Sequence, residues 1–408
     1  MEILGQGARA VEFGIYRDGD NNLDASQGVT LAQALDTSVK DSRIEYTVQD
    51  TTSLRQADGD IVQGKLHTDN FTIANGKIGQ ARVDKAHDMA SPTNLAQFVA
   101  RTLDNAQRSG AKQTWIELTD HGAGDGGGLE ADSAHGIMTM PAIADAIAQG
   151  VKLHAQEHPE DAGRSVDGVV ANQCLMSSLG FADALSHAGV RYLAASPETM
   201  VSPGVPSDVA DAIAKNPDDP QAMGNALVGD VMREKYGAGG QTWGPAAAFD
   251  VLDVDRGGMQ AVETSVKTLN DDIASRKADK TEIAAIRDDA KANTGMVRFH
   301  DATSDMPWHA DRPAIALYNT MASDGRLDPS LRAAAQQAAK AVGNIVVAHA
   351  ESKHFAPFDG SSYTDAVGPT THFPINAAQV DPWAPKVSET HNRFFDETDA
   401  AALERVIA

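Results

Sequence analysis

Two periods of apolar spacing alternate through the first half of the chain. Ala10 to Tyr16 (AVEFGIY) reads as a strand, and Asp18 to Asp24 (DGDNNLD) as the turn after it. Val29 to Val39 suits a helix, while Arg43 to Gln49 (RIEYTVQ) alternates polar and apolar positions as a half-buried strand does. Between Asp60 and Gly79, short Ile, Val and Phe pieces separated by Gly and Asn predict a hairpin. Ser91-Pro92 then opens a helix with Leu95, Phe98, Val99 and Leu103 on one face, closed by Gly110. Gln113 to Leu118 is a strand, Ile143 to Leu153 a helix, Val166 to Ala171 a strand, Ser177 to His187 a helix and Val190 to Ala195 a strand. Strands alternating with helices predict an α/β fold, a mainly parallel sheet covered on both faces.

The pattern changes in the second half. Met223, Leu227 and Val231 share a helix face, as do Val262, Val266, Leu269 and Ile273, and Leu331 to Ile345 carries another long stripe. One further strand is expected between Gly244 and Val254, and the tail from His354 to Pro385 reads as irregular. These shifts divide the chain into an α/β domain over 1–255 and a largely helical region over 256–408.

Charge and cysteine usage narrow the function classes. The formal charge of −23 disfavours nucleic acid and anionic membrane surfaces as partners. Cys174 is the single cysteine, so no internal disulfide forms. No apolar run reaches the length of a membrane span, and no signal peptide is visible at the start. Cytoplasmic residence, a removed leader and export by a non-classical route all stay open, and nothing in the residues reports the oligomeric state.

Thr119 to Gly128 (TDHGAGDGGG) places five glycines within the seven residues after His121. It contains G-x-G-x-x-G after a strand, but Gly and Asp come next where a dinucleotide fingerprint needs a helix, and no Lys-Ser/Thr pair completes a P-loop. His154 and His158 (HAQEH) match the metallopeptidase spacing H-x-x-E-H. Pro159 puts that motif in the last turn of its helix, where the helix dipole and solvent account for histidines. Asp18, Asp20 and Asn22 resemble the opening of a calcium loop. Leu23 and Val29 occupy its Gly and bidentate Glu positions, which leaves a plain turn or a looser cation site.

Cys174 follows a strand and precedes a helix, at the edge of an open α/β sheet where ligands and chemistry gather. A helix amino end favours the thiolate, the attacking form. His121 also lies just past a strand, 53 residues upstream, a separation close to the caspase one. A lone cysteine is otherwise a small buried apolar residue.

Four ordered pieces, YRDGDNNL, LTDHGAG, NQCLMSS and AASPETMVSPG, resemble the clostripain family of cysteine peptidases, within the caspase-like clan, over about residues 10–205. Beyond that stretch the resemblance rests on AVGPTTHFPIN. It implies a caspase-like sheet and cleavage of a polypeptide substrate, with His121 as the catalytic histidine and Cys174 as the nucleophile. It also implies an oxyanion hole from the N–H groups of Gly122 and Cys174, with the glycines shaping a substrate-facing loop.

The sequence departs from the family at specificity. Asn172 stands where members that cleave after Arg or Lys carry Asp, and Arg17 replaces a more usual apolar residue at the end of the first strand. With Asp18 and Glu198 these form the expected substrate-binding set, and the departure predicts a neutral or acidic residue before the scissile bond, unless another acid such as Glu198 restores basic preference. Many relatives are secreted and processed, and some respond to calcium. No cofactor is required, and calcium stays open. A catalytically silent homologue that binds peptides or a partner protein, and a zinc hydrolase using His154 and His158, are the alternatives.

Overall fold

In the computed structural model of the protein the described residues are 9–21, 23–55, 61–85, 88–124, 127–131, 136–200, 204–233, 248–293, 310–351, 367–376, 379 and 393–407. Strand β1 (Val11–Asp18) buries every side chain, as a strand covered on both faces must. Helices α1 (Asp24–Gln27) and α2 (Val29–Lys40) return the chain to β2 (Ile44–Arg55), parallel to β1. The expected hairpin is β3 (Ile61–Ala74) with β4 (Lys77–Ile78). Its two-residue turn, Asn75 and Gly76, has φ of 52° and 69°, the left-handed pair that suits strand twist. β5 (Arg82–Asp84) also pairs with β3.

Helix α3 (Pro92–Ser109) starts on the expected proline and stops at Gly110, whose φ of 67° ends the helix in the left-handed region. Ser91 makes no side-chain cap bond there. β6 (Gln113–Thr119) leads through the glycine loop to a small hairpin, β7 (Gly128–Ala131) and β8 (Gly136–Met138). Next come α4 (Met140–Glu157), β9 (Gly168–Asn172), α5 (Leu179–His187) and β10 (Tyr192–Ala195). Helices α6 (Val209–Lys215) and α7 (Pro220–Arg233) precede β11 (Ala248–Asp253). The remainder comprises α8 (Arg256–Ser275), α9 (Lys280–Ala292), β12 (Asp311–Pro313), α10 (Ala314–Ser323), α11 (Pro329–Ile345), β13 (Val346–Glu351) and β14 (Thr370–His372). Helices Arg393–Glu397 and Ala400–Ile407 end it.

The central sheet of the described residues runs β13-β11-β10-β9-β6-β1-β2-β3-β4. Its middle, β10 to β2, is parallel, and antiparallel strands extend both ends. Apolar side chains of opposite parity fill two cores. Phe13, Ile15, Val48 and Val170 meet α2, α6 and α7 on one face, while Tyr16, Ile116, Leu118 and Val169 meet α3, α4 and α5 on the other. At the sheet centre Gly168 faces Trp115: a Cβ there would lie 2.3 Å from the indole. Without it the ring lies across β9 and stacks on Tyr192, with centroids 5.7 Å apart and planes within 4°.

Two features differ from the sequence expectation. The strand expected over Gly244–Val254 is described from Ala248 and runs antiparallel to β10, residues 244–247 lying outside the described set. β13 is new, and with it the region after residue 255 contributes to the sheet itself. Side chains of α8 to α11 join the same core as α3 to α5, so position 255 separates no two cores. Most of the tail from His354 to Pro385 lies outside the described residues, and within it β14 pairs with β12.

Candidate active site

Thr119 and Asn172 are paired across the ends of β6 and β9. His121 and Cys174 each come two residues later. Adjacent strands lie about 4.8 Å apart, so the two residues leave the carboxyl edge of the sheet side by side. The segments that carry them touch. Gln173 Nε2 donates to His121 O at 2.9 Å, and a Cβ on Gly122 would lie 2.2 Å from Cys174 O. Only glycine permits that approach of backbone to backbone. The loop then turns tightly: Gly127 N donates to Gly124 O at 2.9 Å and Ala123 N to Gly127 O at 2.8 Å. It enters strand β7 at the point where a phosphate-binding fingerprint would start a helix.

The turn after β9 is fixed from the other side. Leu175 takes a left-handed φ of 66°, and its N–H donates to Glu198 O at 3.0 Å. Ser177 N donates to Ser196 O at 2.9 Å, and Ser178 caps α5 by accepting from Phe181 N at 3.2 Å. Since α5 begins only at Leu179, its amino end lies beyond the first-turn range over which a helix dipole acts on Cys174. A donor at the sulfur is the Met200 amide, 3.3 Å from the half-buried Cys174 Sγ. This contact comes from the loop after β10, and no local pattern around Cys174 announces it.

Sequence reading also missed a brace behind the turn. Ser177 Oγ donates to Asp250 Oδ2 at 2.6 Å, His349 Nδ1 lies 2.7 Å from Asp250 Oδ1, and Gly368 N donates to the same oxygen at 3.2 Å. Burial works against a charged His349, but the Asp250 hydrogen bond and the Asp250 and Glu351 carboxylates overcome it and raise its pKa. Thr370 N donates to Ser177 O at 2.9 Å, which attaches β14 to the same turn.

The four expected substrate-binding residues are built into the protein interior. Asn172 is 3 % exposed, donates to Glu117 Oε1 at 3.0 Å and accepts from Val205 N at 2.8 Å, tying the segment beyond residue 203 to the sheet. Arg17 is 2 % exposed. Its guanidinium is held by Asp50 at 2.5 Å and Asp24 at 2.9 Å, both carboxylates coming from residues outside its strand. Asp18 is fully buried and accepts from Asp20 N at 2.8 Å, an Asx-type turn. Burial first, then the neighbouring Asp20 and Asp88, push its carboxyl well above the usual range. Asn22, the third member of the expected cation loop, lies outside the described residues. Glu198 is buried, with its N–H donating to Ser196 Oγ at 3.0 Å.

Glu117 was not expected. It sits on the Trp115/Thr119 face of β6, fully buried, and accepts from Asn172 Nδ2 and Thr119 Oγ1. Both bonds favour the carboxylate, yet desolvation outweighs them and raises its pKa to about 7. Its sequence signal was an acid on the inward face of a central parallel strand, which looks like ordinary alternation when the strand is read alone.

Three whole-chain comparisons bear on this arrangement. No family model matches the chain, and no curated protein matches it in sequence. Solved structures do match. The inactive zymogen of a C11 protease from Parabacteroides distasonis superposes with a TM-score of 0.60 over 97 % of this chain and 99 % of that one, at 14 % identity. A secreted C11 cysteine protease from Bacteroides thetaiotaomicron, in complex with an irreversible peptide inhibitor, gives 0.61 over 96 % and 99 %, at 11 % identity. The chain thus has the caspase-like fold of the C11, or clostripain-family, cysteine proteases along nearly its whole length.

Proposed function

We propose that the protein is a clostripain-type cysteine endopeptidase acting through His121 and Cys174. The observation that carries this reading is their emergence side by side from the paired ends of β6 and β9, with Gly122 packed against the Cys174 backbone. The Cys174 thiolate attacks the scissile carbonyl carbon and forms the C–S bond, while the carbonyl electron pair moves onto oxygen toward the N–H groups of Gly122 and Cys174. His121, protonated when the thiol ionises, gives that proton to the leaving amine as the C–N bond breaks. Water, deprotonated by His121, then hydrolyses the thioester and restores both groups.

For specificity, the Asn172 position offers no carboxylate and its amide is engaged by Glu117 and Val205, which favours cleavage after a neutral residue. Arg17, neutralised by Asp50 and Asp24, gives no support to an acidic preference. The test is a peptide library varied before the scissile bond, run on wild type and Cys174→Ala, with a peptide acyloxymethyl ketone as label. Cleavage and labelling lost in the variant are expected. Labelling of neither protein would favour the catalytically silent, peptide-binding reading, and exclusive cleavage after Arg and Lys would reject the specificity.

A further inference from the structure

Histidines 154 and 158 lie at the opposite edge of the sheet from Cys174. Helix α4 begins near the carboxyl edge, where Met140 Sδ contacts Ser178 Oγ, and runs back toward the amino edge. At 1.5 Å per residue, His154 sits roughly 20 Å along it. Gly150, one turn earlier, lets α4 approach α3 so closely that a Cβ there would lie 2.5 Å from Val99 Cβ. That contact brings Asp104 of α3 to the histidines. His154 Nδ1 is 2.7 Å from Asp104 Oδ1, and His158 Nε2 is 3.5 Å from the same oxygen.

From this cluster we propose that Asp104, His154 and His158 form a binding site for a zinc ion that clips the end of α4 to α3. Tetrahedral zinc with bonds near 2.0–2.1 Å holds its donors about 3.3 Å apart; the 3.5 Å between His158 and Asp104 fits that spacing, and the 2.7 Å hydrogen bond between His154 and Asp104 would open by about 0.6 Å to admit the ion. Two imidazoles and one carboxylate suit zinc, whereas calcium and magnesium require oxygen donors. A supporting residue behind the metal ligands is also present. His154 is fully buried, and its Nε2 has no aligned hydrogen-bond partner but lies 3.4 Å from Asp161 Oδ2. Asp161 is itself anchored by Arg164 Nε at 2.5 Å. A carboxylate behind the far nitrogen is the arrangement that orients a metal-bound imidazole.

Glu157, which a metallopeptidase would use as its base, is exposed and outside the cluster. The site is therefore structural, with water at its open position and Glu160, 3.3 Å from His158 Nδ1, behind the ring nitrogen that faces away from the ion. The competing arrangement is a bare His154 held between Asp104 and Asp161 as an ion pair.

The experiment uses the full chain in a Cys174→Ala background, which removes the only thiol, stripped with chelator and titrated with zinc chloride against a chromophoric competitor. One zinc per chain is expected, with a thermal midpoint raised by several degrees. His158, one-third exposed, is the ligand to replace: His158→Ala should weaken binding at least tenfold and erase the visible bands of the cobalt-loaded protein. Asp161→Asn should weaken binding about tenfold or more. If His158→Ala loses its native circular dichroism, Asp104→Asn serves in its place. Absence of stoichiometric zinc, or affinity and cobalt spectrum unaltered by the ligand replacement, overturns the site.

Discussion

Glu117 sets burial directly against hydrogen bonding, and burial wins. Its folded pKa of about 7 against an ordinary 4.5 means the folded state binds the proton more tightly than the unfolded one. The associated stability is fully present below pH 4.5 and is lost as pH rises through 7, an effect of about 3 kcal/mol. Glu117→Gln should therefore be neutral at pH 4.5 and more stable than wild type by about 3 kcal/mol at pH 8 in urea unfolding. A variant no more stable than wild type at pH 8 would mean that Glu117 is better solvated than its burial indicates. This residue was illegible in the sequence because its surroundings, like those of Arg17 and Asn172, are supplied from far along the chain. Its environment comes from Asn172, Arg17 is matched by Asp50, and Asn172 is held by Val205, none of them neighbours along the chain. His121 and Cys174 stood out because a strand end followed by glycines, or by a small-residue turn into a helix, is a local pattern.

At the scale of elements, the alternation of parallel strands and helices could be read from periodicity and its stops, as in α3, whose apolar face ends at Gly110, and α4, which ends just before Pro159. β13 could not. It continues from α11 with no intervening breaker, the backbone changing from helical to extended at Val346. The contact between the β6 and β9 loops depends on one missing side chain. Gly122→Ala would drive a methyl into Cys174 O, and the two loops would have to separate by about 1 Å. Peptidase kcat/KM is expected to fall about 100-fold, and the thermal midpoint should fall as well, because the methyl would also lie 3.0 Å from Cγ of the core residue Met176. An alanine variant of full activity would show that the two loops do not act together.

The whole molecule is held by cores that ignore the expected boundary. Residues 9–255 alone would leave Leu252, Val254 and the α5 face without α8 and α11, and would leave β11 as an open edge lacking β13. Expressed alone, that fragment should be aggregated or molten, with weak near-ultraviolet dichroism, whereas two complete domains would yield a cooperative melt. Among the described residues no helix is long and apolar enough to cross a membrane.

The ladder between β10 and β11 also separates contact from connectivity. Tyr192 to Ala195 pair with Asp250 to Asp253, and Asp250 reaches Ser177 and His349 on either side. A single break in the chain after α7 would sever none of these bonds, nor those by which Ser196, Glu198 and Met200 hold the Cys174 turn. It would release only loop-closure entropy, which grows as the logarithm of loop length. The two pieces would stay registered by the sheet they share, so that a nicked molecule and an intact one would place Cys174 in the same turn.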